Sequence, residues 1–234
     1  MYRELELAQV RETLETLYRR ITERFPESGL SRVAAELCTI ADETGPVIDR
    51  LTSPNWAVRV FVGLAVGLVL VLSGGLLALV GSMSLGDDGL GSVLQAIESA
   101  AQDLVFLGVA IYFLLTIEGR LKRRLALRDL RRLRAIVHIV DMHQLTKDPE
   151  HLLAPAQRTA SSPQWQFTRF ELSRYLDYCT ELLSLSSKLA ALHAQCVNDP
   201  VVLDAVNDIE VLASNLSSKI WQKIVILDTI PTLE

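Results

Sequence analysis

Residues 60–83 read VFVGLAVGLVLVLSGGLLALVGSM, 24 residues without a charge and with glycine recurring through them. A helix crosses about 30 Å of hydrocarbon with about 20 apolar residues. The stretch is long enough, and Arg59 closes its start. More than fifty residues of patterned sequence precede it, so it does not read as a cleaved signal peptide. A soluble core helix of this length without one charge is at odds with amphipathic burial. The reading is a membrane span over 55–83.

A second apolar run, DLVFLGVAIYFLLTIEG, is strictly apolar only from Leu104 to Ile117, 14 residues. As a helix these reach about 21 Å, short of a crossing. Including SAAQD before them restores the length and places a second span at 99–118. Gln102 and Asp103 then sit near an interface or face protein. Between the spans lies a short acidic loop, 84–98, and the whole stretch from Ser84 to Asp103 has neither Lys nor Arg. After the second span come Arg120, Lys122, Arg123, Arg124, Arg128, Arg131, Arg132 and Arg134. Lys and Arg concentrate on the cytoplasmic side of a membrane protein. Both termini are therefore expected in the cytoplasm and the acidic loop outside.

The glycines gain a reason from their spacing. Gly63, Gly67, Gly74, Ala78 and Gly81 fall on one helical face. In lipid, small residues let another helix backbone approach closely. The approaching helix is either the chain's own second span or a second subunit. Gly74-Gly75 also offers a place to kink.

The rest of the chain reads as helical. Leu7, Val10, Leu14, Leu17 and Ile21 recur at 3, 4, 3 and 4 residues, an amphipathic stripe compatible with a coiled coil. FPESG breaks it, and a second helix with Val33, Leu37 and Ile40 inward follows, interrupted or kinked by ETGP at 43–46. Residues 1–54 thus form N-terminal cytoplasmic helices, with Ser53 and Pro54 expected to start the first span. Beyond the second span, Leu121, Leu125, Leu130, Leu133, Ile136, Val137 and Val140 continue a helix over 119–147, with Gly119 as the expected bend. A loop covers 148–166. Residues 167–234 form a helical hairpin with inward stripes Leu172, Leu176, Cys179, Leu183, Leu189, Leu192 and Val202, Val206, Ile209, Ala213, Leu216, Ile220, Leu227. Asp199 caps its second helix and Pro200 opens it. The fold class is an all-α membrane protein, a two-span hairpin over a cytoplasmic helical bundle.

Composition narrows function. The chain has 234 residues, a formal net charge of −5, 50% hydrophobic residues and 22% charged ones. Net acidity opposes a nucleic-acid partner. Cys38, Cys179 and Cys196 form no CxxC pair or disulfide framework. With the four histidines they fall on the cytoplasmic side. No P-loop, GxGxxG or GxSxG occurs, and no cofactor is implied. His138, Asp141, His193 and Cys196 would compose a metal site if their helices pair in the right register, with His138/Asp141 and His193/Cys196 each on one helical face. Arg120, Lys122, Arg123 and Arg124 suit lipid headgroups. Asp87, Asp88, Glu98 and Asp103 would line an acidic vestibule in a ring of subunits.

These features lead to a non-enzymatic integral membrane protein that self-associates and uses its cytoplasmic bundle as a scaffold or partner-binding module. Its partners are the lipid membrane, further copies of itself and a cytoplasmic protein. The alternatives are an oligomeric cation channel and a metal-dependent activity in the bundle. Helical pattern from the first residues, without a transit-peptide composition, fits a bacterial inner membrane.

Overall fold

The computed structural model describes residues 5–83, 90–149 and 167–229, with side chains throughout except at 76, 77, 79–83, 90–97, 99, 100, 103 and 104. Among the described residues there are six helices and no strand: α1 (Leu7–Arg24), α2 (Gly29–Thr52), α3 (Trp56–Met83), α4 (Leu90–Leu145), α5 (Arg169–Cys196) and α6 (Pro200–Thr229). They divide into two units. One comprises Met1–Thr52 and Arg123–Glu234, the other Ser53–Lys122.

The first unit is a five-helix bundle. Val10, Leu14, Leu17 and Ile21 of α1 are all buried, so the heptad-like stripe packs inside its own chain. Arg11 pairs with Asp42 and Leu7 lies against Gly45, which sets α1 antiparallel to α2. Arg20 pairs with Glu181, and Phe25 meets Tyr175 and Tyr178, which sets α1 antiparallel to α5. Arg132 of α4 pairs with Glu36 and Glu43 of α2. Arg123–Asp199, Arg134–Asp208 and Lys223 Nζ on the Gln144 carbonyl run α4 and α6 in parallel. Most of these pairs are exposed and contribute little stability. The leucine-rich core common to all five helices carries it.

Local signals explain the helix ends. Thr168 and Glu171 form a reciprocal capping box at the start of α5. Asp199 Oδ1 accepts the Val201 and Val202 N–H groups ahead of Pro200. Between α1 and α2 the chain turns through Glu27 at φ 57, a left-handed conformation that costs a non-glycine residue about 1 kcal/mol. The expected interruption at 43–46 is absent, since α2 runs through Pro46. Proline removes one helical hydrogen bond, but Val47 and Leu51 beyond it are buried and hold the last turns on the bundle.

The second unit contains α3 and the first part of α4. Among the described residues one helix is long and apolar enough to cross a membrane, and its apolar window belongs to α3. Most of its described side chains face outward: Phe61, Leu64, Leu68, Val71 and Leu72 are each at least 60% exposed, while Val62 is buried. Val105, Phe106, Val109, Tyr112, Phe113 and Leu115 of α4 are exposed too. Asn55, rather than Ser53, caps α3, its Oδ1 accepting the Val58 N–H at 3.4 Å. At the foot of the two helices Glu118 receives Arg59 at 2.9 Å and Lys122 at 3.3 Å, and accepts the Asn55 N–H. Lys122 also donates to the Ser53 carbonyl.

The connection differs from the sequence expectation. Helix α4 begins at Leu90, so Glu98 is helical and not part of a loop, and α4 continues unbroken through Gly119. Asp87 and Asp88 lie outside the described residues.

Candidate functional site

Three kinds of surface or centre are candidates for function. The first is the small-residue face of α3. A Cβ built on Gly63, Gly67 or Gly74 meets nothing within 4 Å. Ala78 is exposed and Gly81 is helical. No described part of the chain therefore fills this face, and α3 is helical across Gly74-Gly75. A lone soluble helix could not afford so much bare apolar surface, because burial of that surface is what holds a protein together in water.

The second is the basic run at the start of the bundle. Arg120 stacks on Phe113 at 4.6 Å and, like Arg124, is exposed. Lys122 is engaged by Glu118, and Arg123 by Asp199 at 2.6 Å. Two of the four expected headgroup ligands are thus committed within the protein. Asp103 is helical and Glu98 exposed.

The third is a polar centre in the bundle core. His193 is fully buried, and its Nε2 faces Asp129 Oδ2 at 3.8 Å. Its Nδ1 lies 3.0 Å from the Leu189 carbonyl, which can only accept, so Nδ1 carries a proton. Asp129 is buried as well, with Arg128 Nε 3.7 Å from its Oδ1. Among the described residues neither Asp129 Oδ1 nor His193 Nε2 has a hydrogen-bond partner. A carboxylate and an imidazole nitrogen attract only with a proton between them, and an unsatisfied buried pair is costly.

The residues expected to bind metal do not converge. His138 is exposed on α4, Asp141 accepts Gln144 Nε2 at 2.7 Å, and Cys196 is half-buried. Among the described residues no group of three or more His, Cys, Asp or Glu is placed to hold a metal ion. The reason is rotational. Ala126, Asp129, Leu133, Ile136 and Val140 make the inward stripe of α4, and His138 lies off it. Asp129 was legible as a member of that stripe by its spacing of four from Leu133, but in a run of arginines it reads as a surface charge.

Burial raises the Cys179 thiol far above its ordinary value. Cys38 is pushed up to about 11 by burial, with Glu15 and Asp42 adding to it. A thiol reacts as thiolate. Cys38 is therefore expected to alkylate at pH 8 about a hundredfold more slowly than a cysteine at the ordinary value of 9.0. Mass spectrometry after iodoacetamide labelling measures this.

His143 packs on the start of α2, where a Cβ at Gly29 would come within 2.1 Å of its ring. Its pKa is lowered below 6.5, first by burial and then by Arg32 and Lys147. The folded state then binds fewer protons than the unfolded one just below 6.5, so stability falls as pH drops through that window. Unfolding titrations of the wild type and His143→Gln between pH 7 and 5 should differ in slope, the variant being the flatter.

Comparison with protein families, curated proteins and solved structures returned no match.

Proposed function

We propose that the chain is a non-enzymatic membrane protein that self-associates through the glycine face of α3 and carries its helical bundle as a cytoplasmic partner-binding module. The observation that carries this reading is the open face at Gly63, Gly67 and Gly74 on a helix most of whose described apolar side chains are exposed. Such a face suits close approach of a second helix in lipid. In this reading α3 and residues 99–118 of α4 form a two-span hairpin, with Glu118, Arg59 and Lys122 tying its two cytoplasmic ends. The run of Lys and Arg after residue 119 keeps both termini in the cytoplasm of a bacterial inner membrane.

The test is the protein mass of the full-length particle in mild detergent, by light scattering with detergent subtracted. The wild type should contain more than one chain. Gly67→Leu and Gly74→Leu should each reduce it toward a monomer, because a leucine holds the backbones apart. A monomeric wild type, or unchanged mass in both variants, overturns the reading. Membrane integration is checked separately by retention in the pellet after alkaline carbonate extraction.

A further inference from the structure

The chain turns from α1 into α2 over residues 25–28, and α4 meets that corner through His143. A Cβ built on Gly29, the first residue of α2, would lie 2.1 Å from Cε1 of the His143 ring, 2.8 Å from Nδ1 and 2.9 Å from Nε2. The ring therefore fills the space that a side chain at position 29 would need. Two residues earlier Glu27 is held at φ 57, a strained conformation for a residue with a side chain. We propose that this contact is a pH-released latch: once the imidazole is charged, the ring leaves the niche at Gly29 and the corner between α1 and α2 loosens from α4. The proposal concerns the bundle alone and does not depend on self-association.

The surroundings of the ring favour its neutral form. It is half-buried, so a charge there loses part of its hydration. Among the described residues the charged groups that act on it are Arg32 of α2 and Lys147 of its own helix, both cations. It also lies against the N-terminus of α2, where the helix dipole opposes a positive charge. The other charged or titratable groups at this end are placed differently. Asp141 of α4 accepts Gln144 Nε2 at 2.7 Å, and Lys223 of α6 donates to the Gln144 carbonyl. Arg24 of α1 stacks on Phe170, and Tyr175 of α5 lies beneath Lys147. Asp148 is engaged, and Glu27 is exposed in the turn.

Release leaves the bundle folded. Phe25 is 6% and Leu30 0% exposed, so buried anchors on both sides confine the movement to the turn and the start of α2. The ring is the far end of a flexible side chain and reaches water by rotamer changes. Opening also relieves the left-handed conformation at Glu27. The sign follows from proton linkage. In the open corner the ring titrates near its ordinary 6.5, whereas burial, Arg32 and Lys147 hold it lower when closed. The open form thus binds more protons below that pH, and acid favours it. The Ser31 N–H, which donates to Ser28 Oγ at 3.1 Å in the closed corner, loses protection as the turn opens.

The test is amide hydrogen exchange of the full-length protein in mild detergent at pH 7.5 and 5.5, read by mass spectrometry and corrected for the intrinsic rate at each pH. In the wild type residues 26–32 should exchange about threefold faster or more at pH 5.5, with residues 202–213 of α6 unchanged. His143→Gln should abolish the response. Arg32→Gln should shrink it, because one of the two cations opposing the charged ring is gone. Gly29→Ala should expel the ring and open the corner already at pH 7.5, with no further response to acid, circular dichroism confirming that the helices persist. If Gly29→Ala fails to fold, His143→Gln and Arg32→Gln still decide the matter. The proposal is overturned by a wild type without a pH response, by an equal rise in α6, or by a response that survives His143→Gln. A folded Gly29→Ala that behaves as wild type overturns it too.

Discussion

Replacing His193 with leucine lowers the thermal midpoint of the bundle by about 6–12 °C, from a loss of about 3 kcal/mol. The loss arises from what the substitution leaves behind. Asp129 stays in the core without its imidazole, with Arg128 Nε at 3.7 Å and the Arg132 charge acting on it from a turn away. The reverse change, Asp129→Leu, is milder, at about 1 kcal/mol. His193 then keeps its Nδ1 hydrogen bond to the Leu189 carbonyl and needs no counterpart. The double variant returns close to the wild-type midpoint, because a packed apolar pair replaces a poorly satisfied polar one. Thermal unfolding of all four proteins, followed by circular dichroism in the same detergent, forms a double-mutant cycle. A silent His193→Leu, or a double variant as damaged as His193→Leu, would show that the pair is not coupled.

Leu17→Ala should destabilise the bundle by about 2–5 kcal/mol, the usual range for a fully buried leucine, with one cooperative transition retained. Leu17 is 1% exposed on α1, and α1 packs on both α2 and α5. The loss should therefore appear as faster amide exchange in α5 as well as in α1. Were α1 an independent coiled-coil arm, the change would loosen α1 alone and leave α5 protected. This distinguishes the two ways of burying the stripe at Leu7, Val10, Leu14, Leu17 and Ile21.

The two outcomes bear on how the protein would work. An integrated α1 makes the open groove between α1 and α5, where Arg20 and Arg174 stand over Tyr178 and Arg24 over Phe170, a rigid composite of two helices. An independent α1 would let Arg20 and Arg24 leave Tyr178 and Phe170 and dissolve the groove.

The sequence alone determined what depends on local period and local chemistry. The 3.6-residue recurrence of apolar side chains placed Leu14, Leu133, Leu176 and Ile209 inward before any neighbour was known. The capping residue Asp199 and the helix-opening Pro200 located α6, and the charge-free run in α3 stood out by composition. These signals are carried by a few adjacent residues, so they need no tertiary information. The tertiary structure decided what depends on the rotation and register of separate helices. It carried α2 through Pro46 because Val47 and Leu51 had a core to enter. It brought Asp129 to His193, 64 residues away, instead of joining His138 and Asp141 to Cys196. It also set three arginines from two helices over the same pair of rings. Each of these is a meeting of distant residues, and a one-dimensional period says which face of a helix is buried without saying which helix it will meet.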